Sequence, residues 1–344
     1  MNKEYIFIFS ESGLMKKAIS VFLAVVMVFS FAACSDPNQK EINKSVTENV
    51  TDKKVDFSAE LTDIPEGYKE KVKSGSLPTE EIEYDHDGHT KKAVVYLPPN
   101  YDAKKLYNVL YIIPGYNGNH TVIFGNAGED TMFKNVLDNM ISNGDIEPMI
   151  AVTPDFYTDS KERLNQNNFD YLVNDFKEEV TGVLIPTVES KYSTYAKSTS
   201  KDDLIASREH RAFAGCSMGG AICWELLATE TEYFYYYAPT AAGSFEGFNK
   251  NYGKVSDKLR NNLKKLNYTK NDYFVFGTDG TKDVTYDNMQ ALIKGFKSDD
   301  DLFTFTDDNK SEGNITYKIQ KGGEHKYKYM YKYLYNALLA FFEK

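Results

Sequence analysis

Cysteine is nearly absent from this sequence, with three in 344 residues. Three thiols cannot build a disulfide framework, so stability has to come from a packed core. A chain of this length with 42% hydrophobic residues can form one. Cys216 and Cys223 stand seven residues apart, the first in a predicted tight turn and the second on a predicted helix. That spacing suits two buried thiols better than a mutual bond. Positive charge is also scarce: 40 Lys and Arg face 50 Asp and Glu, for a formal net charge of −10. No basic face emerges, which argues against nucleic acid as a partner, and the negative field disfavours polyanionic substrates. One tryptophan accompanies 26 tyrosines and 22 phenylalanines. Tyrosine-rich strands and core account for these rings more simply than a sugar-stacking surface does. Histidine is rare too, at five, so each position is informative.

The N-terminus carries an address. From Met15 it reads MKKAISVFLAVVMVFSFAAC: two lysines, an apolar run, then small residues before Cys34. This is the pattern of a secretory signal, and FAAC ending at Cys34 is similar to the lipobox of bacterial lipoproteins, with Phe31 where Leu is usual. The expectation is a signal peptide over residues 1–33, with Met15 a candidate initiator. Cys34 is then lipidated, and the membrane is met only through that lipid on the outer face of the cell. An ordinary signal peptide or an uncleaved anchor is the alternative. Residues 34–60 are polar and poor in aliphatics, as in a flexible tether. Residues 61–344 read as one catalytic domain, with no internal repeat and no second linker.

Apolar runs at 93–97, 108–113, 149–153, 211–215, 233–239, 272–277 and 315–320 read as buried strands. Helical patterns fall between them at 131–143, 168–191, 218–229, 285–297 and 326–343. Alternation of this kind implies an α/β fold with a mainly parallel, doubly wound sheet flanked by helices. The last segment, KYKYMYKYLYNALLAFF, begins with period two, but its length and ending favour an amphipathic helix.

The sharpest local signal is GCSMG at 215–219, after the strand RAFAG and before the helical GAICWELLA. A nucleophile elbow requires that strand–turn–helix context, and with it comes the α/β-hydrolase fold. Gly215 and Gly219 would leave room in the turn, Ser217 would stand at the strand tip, and the Met218 N–H would face the developing oxyanion. In this fold the base follows the serine, and His325 is the only histidine after Ser217. His86 and His89, in DHDGH, suggest a metal pair, but a β-turn at Asp87-Gly88 is the simpler reading. His210 reads as a structural hydrogen-bonder, and His120 as a residue lining the substrate pocket. The acid is Asp279 or Asp283, and pattern alone leaves both open. A second oxyanion donor is expected from PGYNGN (114–119): the Tyr116 N–H, with Gly115 as the alternative. Each such donor is worth about 3 kcal/mol in the transition state.

Taken in order, VYLPPNYDAKKLYNVLYIIPG, NGDIEPMIAVTP, IPTVESKYSTYA, ASREHRAFAGCSMGG, GTKDVTYDNM and GGEH followed by YNALLAFF resemble the feruloyl esterases of carbohydrate esterase family one, in particular the esterase modules attached to bacterial xylanases. The similarity covers roughly residues 80–344. It implies an α/β-hydrolase that cleaves cinnamoyl esters on plant cell-wall xylan. The family's serine falls on Ser217 and its histidine on His325. Its Gly-Thr/Ser-x-Asp segment falls on Gly280-Thr281-Lys282-Asp283, which makes Asp283 the acid. The family's His-Gly-Gly-Gly-like oxyanion loop is replaced by Pro114-Gly115-Tyr116-Asn117. A substrate-facing Trp of relatives corresponds to Phe245, and an aromatic after the histidine gives way to Lys326. Gly115, His120 and Phe245 are the expected substrate contacts.

The expected chemistry is acyl transfer through a serine ester, with no metal and no cofactor, and with activity falling at acid pH as the imidazole protonates. The partner is a small-molecule or oligosaccharide ester, and the oligomeric state is left open. The same three residues would serve an acetyl-xylan esterase, a siderophore esterase or a sugar acyltransferase. A glycan-binding lipoprotein without catalysis is the alternative from another class.

Overall fold

A computed structural model describes residues 61–116, 118–157, 169–244, 253–296, 301–306 and 313–342, with backbone alone at 169–172 and 253–256. The expected signal peptide with Cys34, the tether, Asn117 and Phe245 lie outside the described residues.

Alternating side chains decide where the core sits. In β3 (Asn108–Ile113), Val109, Tyr111 and Ile113 join one apolar cluster while Leu110 and Ile112 join another on the opposite face. A strand buried on both faces needs covering layers on both, which only a doubly wound arrangement supplies. Eight strands form one sheet in the order β1-β2-β4-β3-β5-β6-β7-β8. The others are β1 (Glu80–His86), β2 (His89–Tyr96), β4 (Met149–Pro154), β5 (Arg211–Cys216), β6 (Tyr236–Thr240), β7 (Phe274–Gly280) and β8 (Ile315–Gln320). Pairs from β4 to β8 are parallel, whereas β1 with β2 and β2 with β4 are antiparallel.

The helices are α1 (Met132–Asn143), α2 (Phe169–Glu179), α3 (Ile185–Lys191), α4 (Lys201–Ala206), α5 (Met218–Thr229), α6 (Gly253–Lys265), α7 (Tyr286–Phe296) and α8 (Tyr327–Leu338). Helix α5 is buried on nearly every side, as its largely apolar sequence, interrupted only by Glu225, requires. Its Trp224 is fully buried, donates from Nε1 to Ala242 O at 2.9 Å and packs on Phe296. In α8, Met330, Tyr333, Leu334, Ala337 and Leu338 are buried at helical spacing. The period-two tyrosines there leave a helix intact.

Three features depart from expectation. Strand β1 and helices α4 and α6 were not predicted, and the long helix expected at 168–191 is interrupted. A π turn over Val180–Leu184 separates α2 from α3, with Ile185 N–H bonded back to Val180 O. Pro186 follows, and its missing N–H removes one regular helical bond at that point. The DHDGH segment is the hairpin turn between β1 and β2, with left-handed backbone at Asp87 (φ 48°) and Gly88 (φ 77°).

At its N-terminal end the elbow strand is fixed by a buried ion pair. Arg211 Nε donates to Glu189 Oε1 at 2.6 Å, and its other nitrogens reach Leu204 O, Tyr233 O and Ser207 Oγ. Those bonds supply acceptors to all three guanidinium nitrogens, which a buried arginine requires.

Candidate active site

Strand β5 ends at Cys216 and α5 begins at Met218, so one residue makes the turn. That residue is Ser217, held at φ 58°, ψ −119°. A non-glycine residue pays of order 1–3 kcal/mol for such a conformation, which persists only where its surroundings enforce it. Here they do. Ser217 N–H donates to Thr240 O at 2.9 Å, and Thr240 Oγ1 donates to Gly215 O at 2.9 Å. A Cβ on Gly215 would lie 2.0 Å from Gly219 O, and one on Gly219 would lie 2.2 Å from Ile113 O. Strand, helix and the end of β3 approach too closely for any side chain at either position.

The loop after β8 brings His325 to Ser217. Its Nε2 lies 2.8 Å from Ser217 Oγ and its Nδ1 lies 2.8 Å from Asp283 Oδ1. The bond to a carboxylate makes Nδ1 the protonated nitrogen and leaves Nε2 to accept from the serine. The histidine side chain is 20% exposed and the Asp283 carboxyl is wholly buried. His325 thus faces Asp283 and not Asp279, the two carboxylates that pattern left open. Two hydrogen bonds couple the loops that carry Asp283 and His325: Lys282 N–H to Gly323 O, and Gly322 N–H to the Thr281 side-chain Oγ1, both 2.9 Å.

The loop after β3 passes over the serine. A Cβ on Gly115 would stand 3.2 Å from Ser217 Cβ and 3.7 Å from its Oγ. Gly115 N–H donates to Tyr327 Oη at 3.3 Å and Gly115 O accepts from Gly118 N–H. Gly115, the alternative donor named from sequence, therefore spends its N–H on Tyr327, and Tyr116, the donor first named, is the next residue along the loop. Met218, the other donor expected, opens α5 at its N-terminus. The Met218 Sδ accepts from Tyr157 Oη at 3.2 Å, and the Tyr116 and Tyr157 rings meet edge to face at 6.5 Å.

His120, expected to line the pocket, has both ring nitrogens committed to carboxylates. Its Nδ1 lies 2.9 Å from Asp155 Oδ1, its Nε2 lies 3.1 Å from Glu81 Oε2, and its backbone N–H also reaches Asp155. Although burial opposes the charged ring, the two carboxylates hold its pKa above the ordinary histidine value. Both ring nitrogens can donate only as an imidazolium, so the residue is a charged clamp that ties the loop after β3 to β1 and to the end of β4. His210 is structural, as expected: Nδ1 donates to Asn108 Oδ1 at 2.8 Å and the ring stacks on Tyr195. His86, Asp87 and Asp175 offer ligand atoms within 4.8 Å of one another at the β1–β2 turn. His86 Nε2 bonds Asp175 there, which is sufficient reason for the grouping. Cys216 and Cys223 are buried free thiols; burial pushes Cys216 up to about 12 and also raises Cys223 well above the ordinary thiol value.

Sequence reasoning did not single out Tyr157, Asp155, Tyr327 or Thr285. Tyr327 lies two residues past His325, hidden in a tyrosine-rich run. Thr285 donates its N–H at 2.9 Å and its hydroxyl at 2.7 Å to Asp283 Oδ1. An Asp-x-Thr spacing is a signal for such a turn, because a side-chain oxygen reaches the N–H two residues on.

Known proteins share this architecture. The Esterase family model matches residues 88–340. The chain is 36% identical over 258 residues to endo-1,4-beta-xylanase Y of Acetivibrio thermocellus, covering 74% of this chain and 22% of that protein. It is 27% identical over 190 residues to an endo-1,4-beta-xylanase/feruloyl esterase of Xylanibacter ruminicola, covering 52% and 23%. The chain therefore spans less than a quarter of the length of these two relatives. Among solved structures, a mutant of the feruloyl esterase module from Clostridium thermocellum, complexed with sinapinate, superposes with a TM-score of 0.74. The identity is 31%, with 85% of this chain and 97% of that one covered. A ferulic acid esterase from the anaerobic fungus Anaeromyces mucronatus shares the fold at a TM-score of 0.60 and 18% identity, covering 82% and 98%. The chain thus has the α/β-hydrolase fold and is similar over most of its length to a feruloyl esterase module, and it belongs to the Esterase family.

Proposed function

We propose that Ser217, His325 and Asp283 are the nucleophile, base and acid of a serine esterase that removes feruloyl or related cinnamoyl groups from xylan or its oligosaccharides. The observation that carries this is the continuous chain from Ser217 Oγ through the imidazole to Asp283, with 2.8 Å at each link, set on a strained elbow. His325 takes the serine proton as Oγ bonds to the ester carbonyl carbon. The Met218 and Tyr116 N–H groups receive the oxyanion. The carbonyl–alkoxy bond then breaks, and the sugar hydroxyl leaves with the proton from His325. Water attacks the acyl-serine by the same path and restores the free serine.

An aromatic acyl group suits the wall beside the nucleophile, where Tyr116, Tyr157 and the Met218 thioether pack together. Sinapinate, the ligand in the Clostridium thermocellum module, is an acid of that class. Residues 15–34 support export, with Cys34 as the lipidated residue and the tether holding the enzyme outside the cell. Phe245 and Gly115 are the further substrate contacts of this reading.

Ser217→Ala should abolish hydrolysis of methyl ferulate and block labelling by a fluorophosphonate, with circular dichroism unchanged. Retained turnover would overturn the assignment. A higher kcat/KM on acetylated xylan than on methyl ferulate would keep the three residues and replace the acyl group.

A further inference from the structure

Asp279 ends up with no part in the mechanism above, yet it is fully buried near its centre. It sits near the end of β7, where its Oδ1 accepts Gly280 N–H at 2.7 Å. Its remaining contact is with Thr285 Oγ, 3.2 Å from Oδ2 and 3.4 Å from Oδ1. Among the described residues it has no ion-pair partner. The same Thr285 oxygen lies 2.7 Å from Asp283 Oδ1. One hydroxyl, with one proton, therefore stands between two buried carboxyls.

Counting donors decides which carboxyl is charged. Asp283 Oδ1 receives the Thr285 N–H, the Thr285 hydroxyl and His325 Nδ1–H. Asp279 receives the Gly280 N–H alone. Once the Thr285 proton points at Asp283, its nearest acceptor, the 3.2 Å contact to Asp279 Oδ2 brings two oxygens together without a proton, unless Asp279 supplies one. The other groups around Asp279 are the phenols of Tyr317 on β8 and Tyr333 on α8, whose own ionisation Asp279 opposes, and neither brings positive charge.

We propose that Asp279 is a neutral carboxylic acid that donates through Thr285 Oγ to Asp283 Oδ1, a positioning residue whose ionisation disrupts the carboxylate behind His325. This rests on the assignment of Asp283 and His325 above. Burial, reinforced by the negative charge of Asp283, pushes the Asp279 carboxyl up to about 8. Below that pH the chain Asp279–Thr285–Asp283 is intact. Above it the Thr285 proton is contested by two anions, Asp283 loses its closest donor, and the imidazole is held less firmly. Substrate is not touched, so kcat falls and KM does not.

The test combines turnover with a spectroscopic readout. Wild-type kcat on methyl ferulate should fall about tenfold through an apparent pKa near 8 with KM constant. Asp279→Asn, whose amide accepts from Gly280 and donates to Thr285, should keep kcat at pH 7 within about twofold and lose the alkaline fall. Thr285→Val should lower kcat about tenfold at every pH, and Thr285→Ser should restore it. The infrared spectrum should show the carbonyl stretch of a neutral carboxylic acid at pH 6.5 that fades through pH 8 and is missing in Asp279→Asn. That band is measurable in Ser217→Ala as well, so it stands apart from whether Ser217 is the nucleophile. The proposal is overturned by a missing band at pH 6.5, by a tenfold loss at pH 7 in a folded Asp279→Asn, by an alkaline fall that persists in that variant, or by full kcat in Thr285→Val.

Discussion

Asp279→Asn should stabilise the protein, and by more at pH 8 than at pH 5. The native carboxyl keeps its proton up to about 8, whereas the unfolded chain releases it near the ordinary aspartate value of 3.8. Between those limits the native state binds one proton more than the unfolded state, so stability falls as pH rises. The stability present below about 3.8 is lost progressively toward 8, where the loss is complete. Each pH unit in the window costs about 1.4 kcal/mol for a single proton, so three units from pH 5 to pH 8 amount to about 4 kcal/mol. The amide has no such proton and keeps the same two neighbours. The gap between variant and wild type should therefore widen by about 4 kcal/mol over that range.

The assay is built into the sequence. Trp224 is the sole tryptophan and is fully buried, so its emission follows global unfolding in urea without interference. Curves at pH 5, 6, 7 and 8, extrapolated linearly, give the stability of each protein. If the two stabilities run parallel across the series, Asp279 exchanges no proton on unfolding in this window and the buried-acid reasoning fails.

Other outcomes follow from the loop and elbow geometry. His120→Gln removes the imidazolium between Asp155 and Glu81, and kcat should fall about tenfold with little change in KM as the oxyanion loop loosens. Because the native pKa of His120 is raised, its contribution is complete below the unfolded histidine value and lost as pH climbs through the native one. The difference in urea midpoint between this variant and wild type should shrink from pH 6 to pH 9; a constant difference would show that the ring carries no charge. Gly219→Ala forces a Cβ to 2.2 Å from Ile113 O, and at least a hundredfold loss of activity is expected, read in the soluble fraction. Gly67→Ala, where a Cβ meets nothing within 4 Å, should leave activity and urea midpoint unchanged.

Much of this was legible before any coordinates, for reasons that differ from residue to residue. The elbow was readable because its steric demand is local: two glycines, a serine and a helix start within five residues. Seven strands were readable because strands with covered faces are written as apolar runs. β1 was missed because EEIEYDH alternates polar with apolar on an edge, and α6 because GKVSDKLRNNLKK is mostly polar. Spacing alone could not choose between Asp279 and Asp283, since one lies near the end of β7 and the other just beyond it; the choice depends on which of the two turns to His325. The carboxylate partners of His120 were not foreseen for a related reason. Its glycine-rich neighbourhood pointed to the pocket, while its partners, Glu81 and Asp155, come from β1 and from the end of β4 and are invisible to local pattern.

Those partners explain how four loops from different strands hold one geometry. Ser217 is fixed by Thr240 O at the end of β6 and by contacts too close for any side chain at 215 and 219. The loop after β3 is held by Tyr327 on one side and by the His120 clamp on the other. The loop after β7 is folded on itself through Thr285, and the loop after β8 is tied to it by Lys282 N–H and Gly322 N–H. Each tie uses a separate donor, so losing one loosens one loop while the others stand. Reorganisation at the moment of reaction is thereby small, and small reorganisation is what makes dipoles in such a site more effective than water. It follows that variants of the ties should lower kcat singly and moderately, whereas variants of Ser217 or His325 should remove it outright. Additive effects of His120→Gln and Thr285→Val, which act on opposite sides of the serine, would show that the loops are held independently; a double variant no worse than either single one would show that they move together.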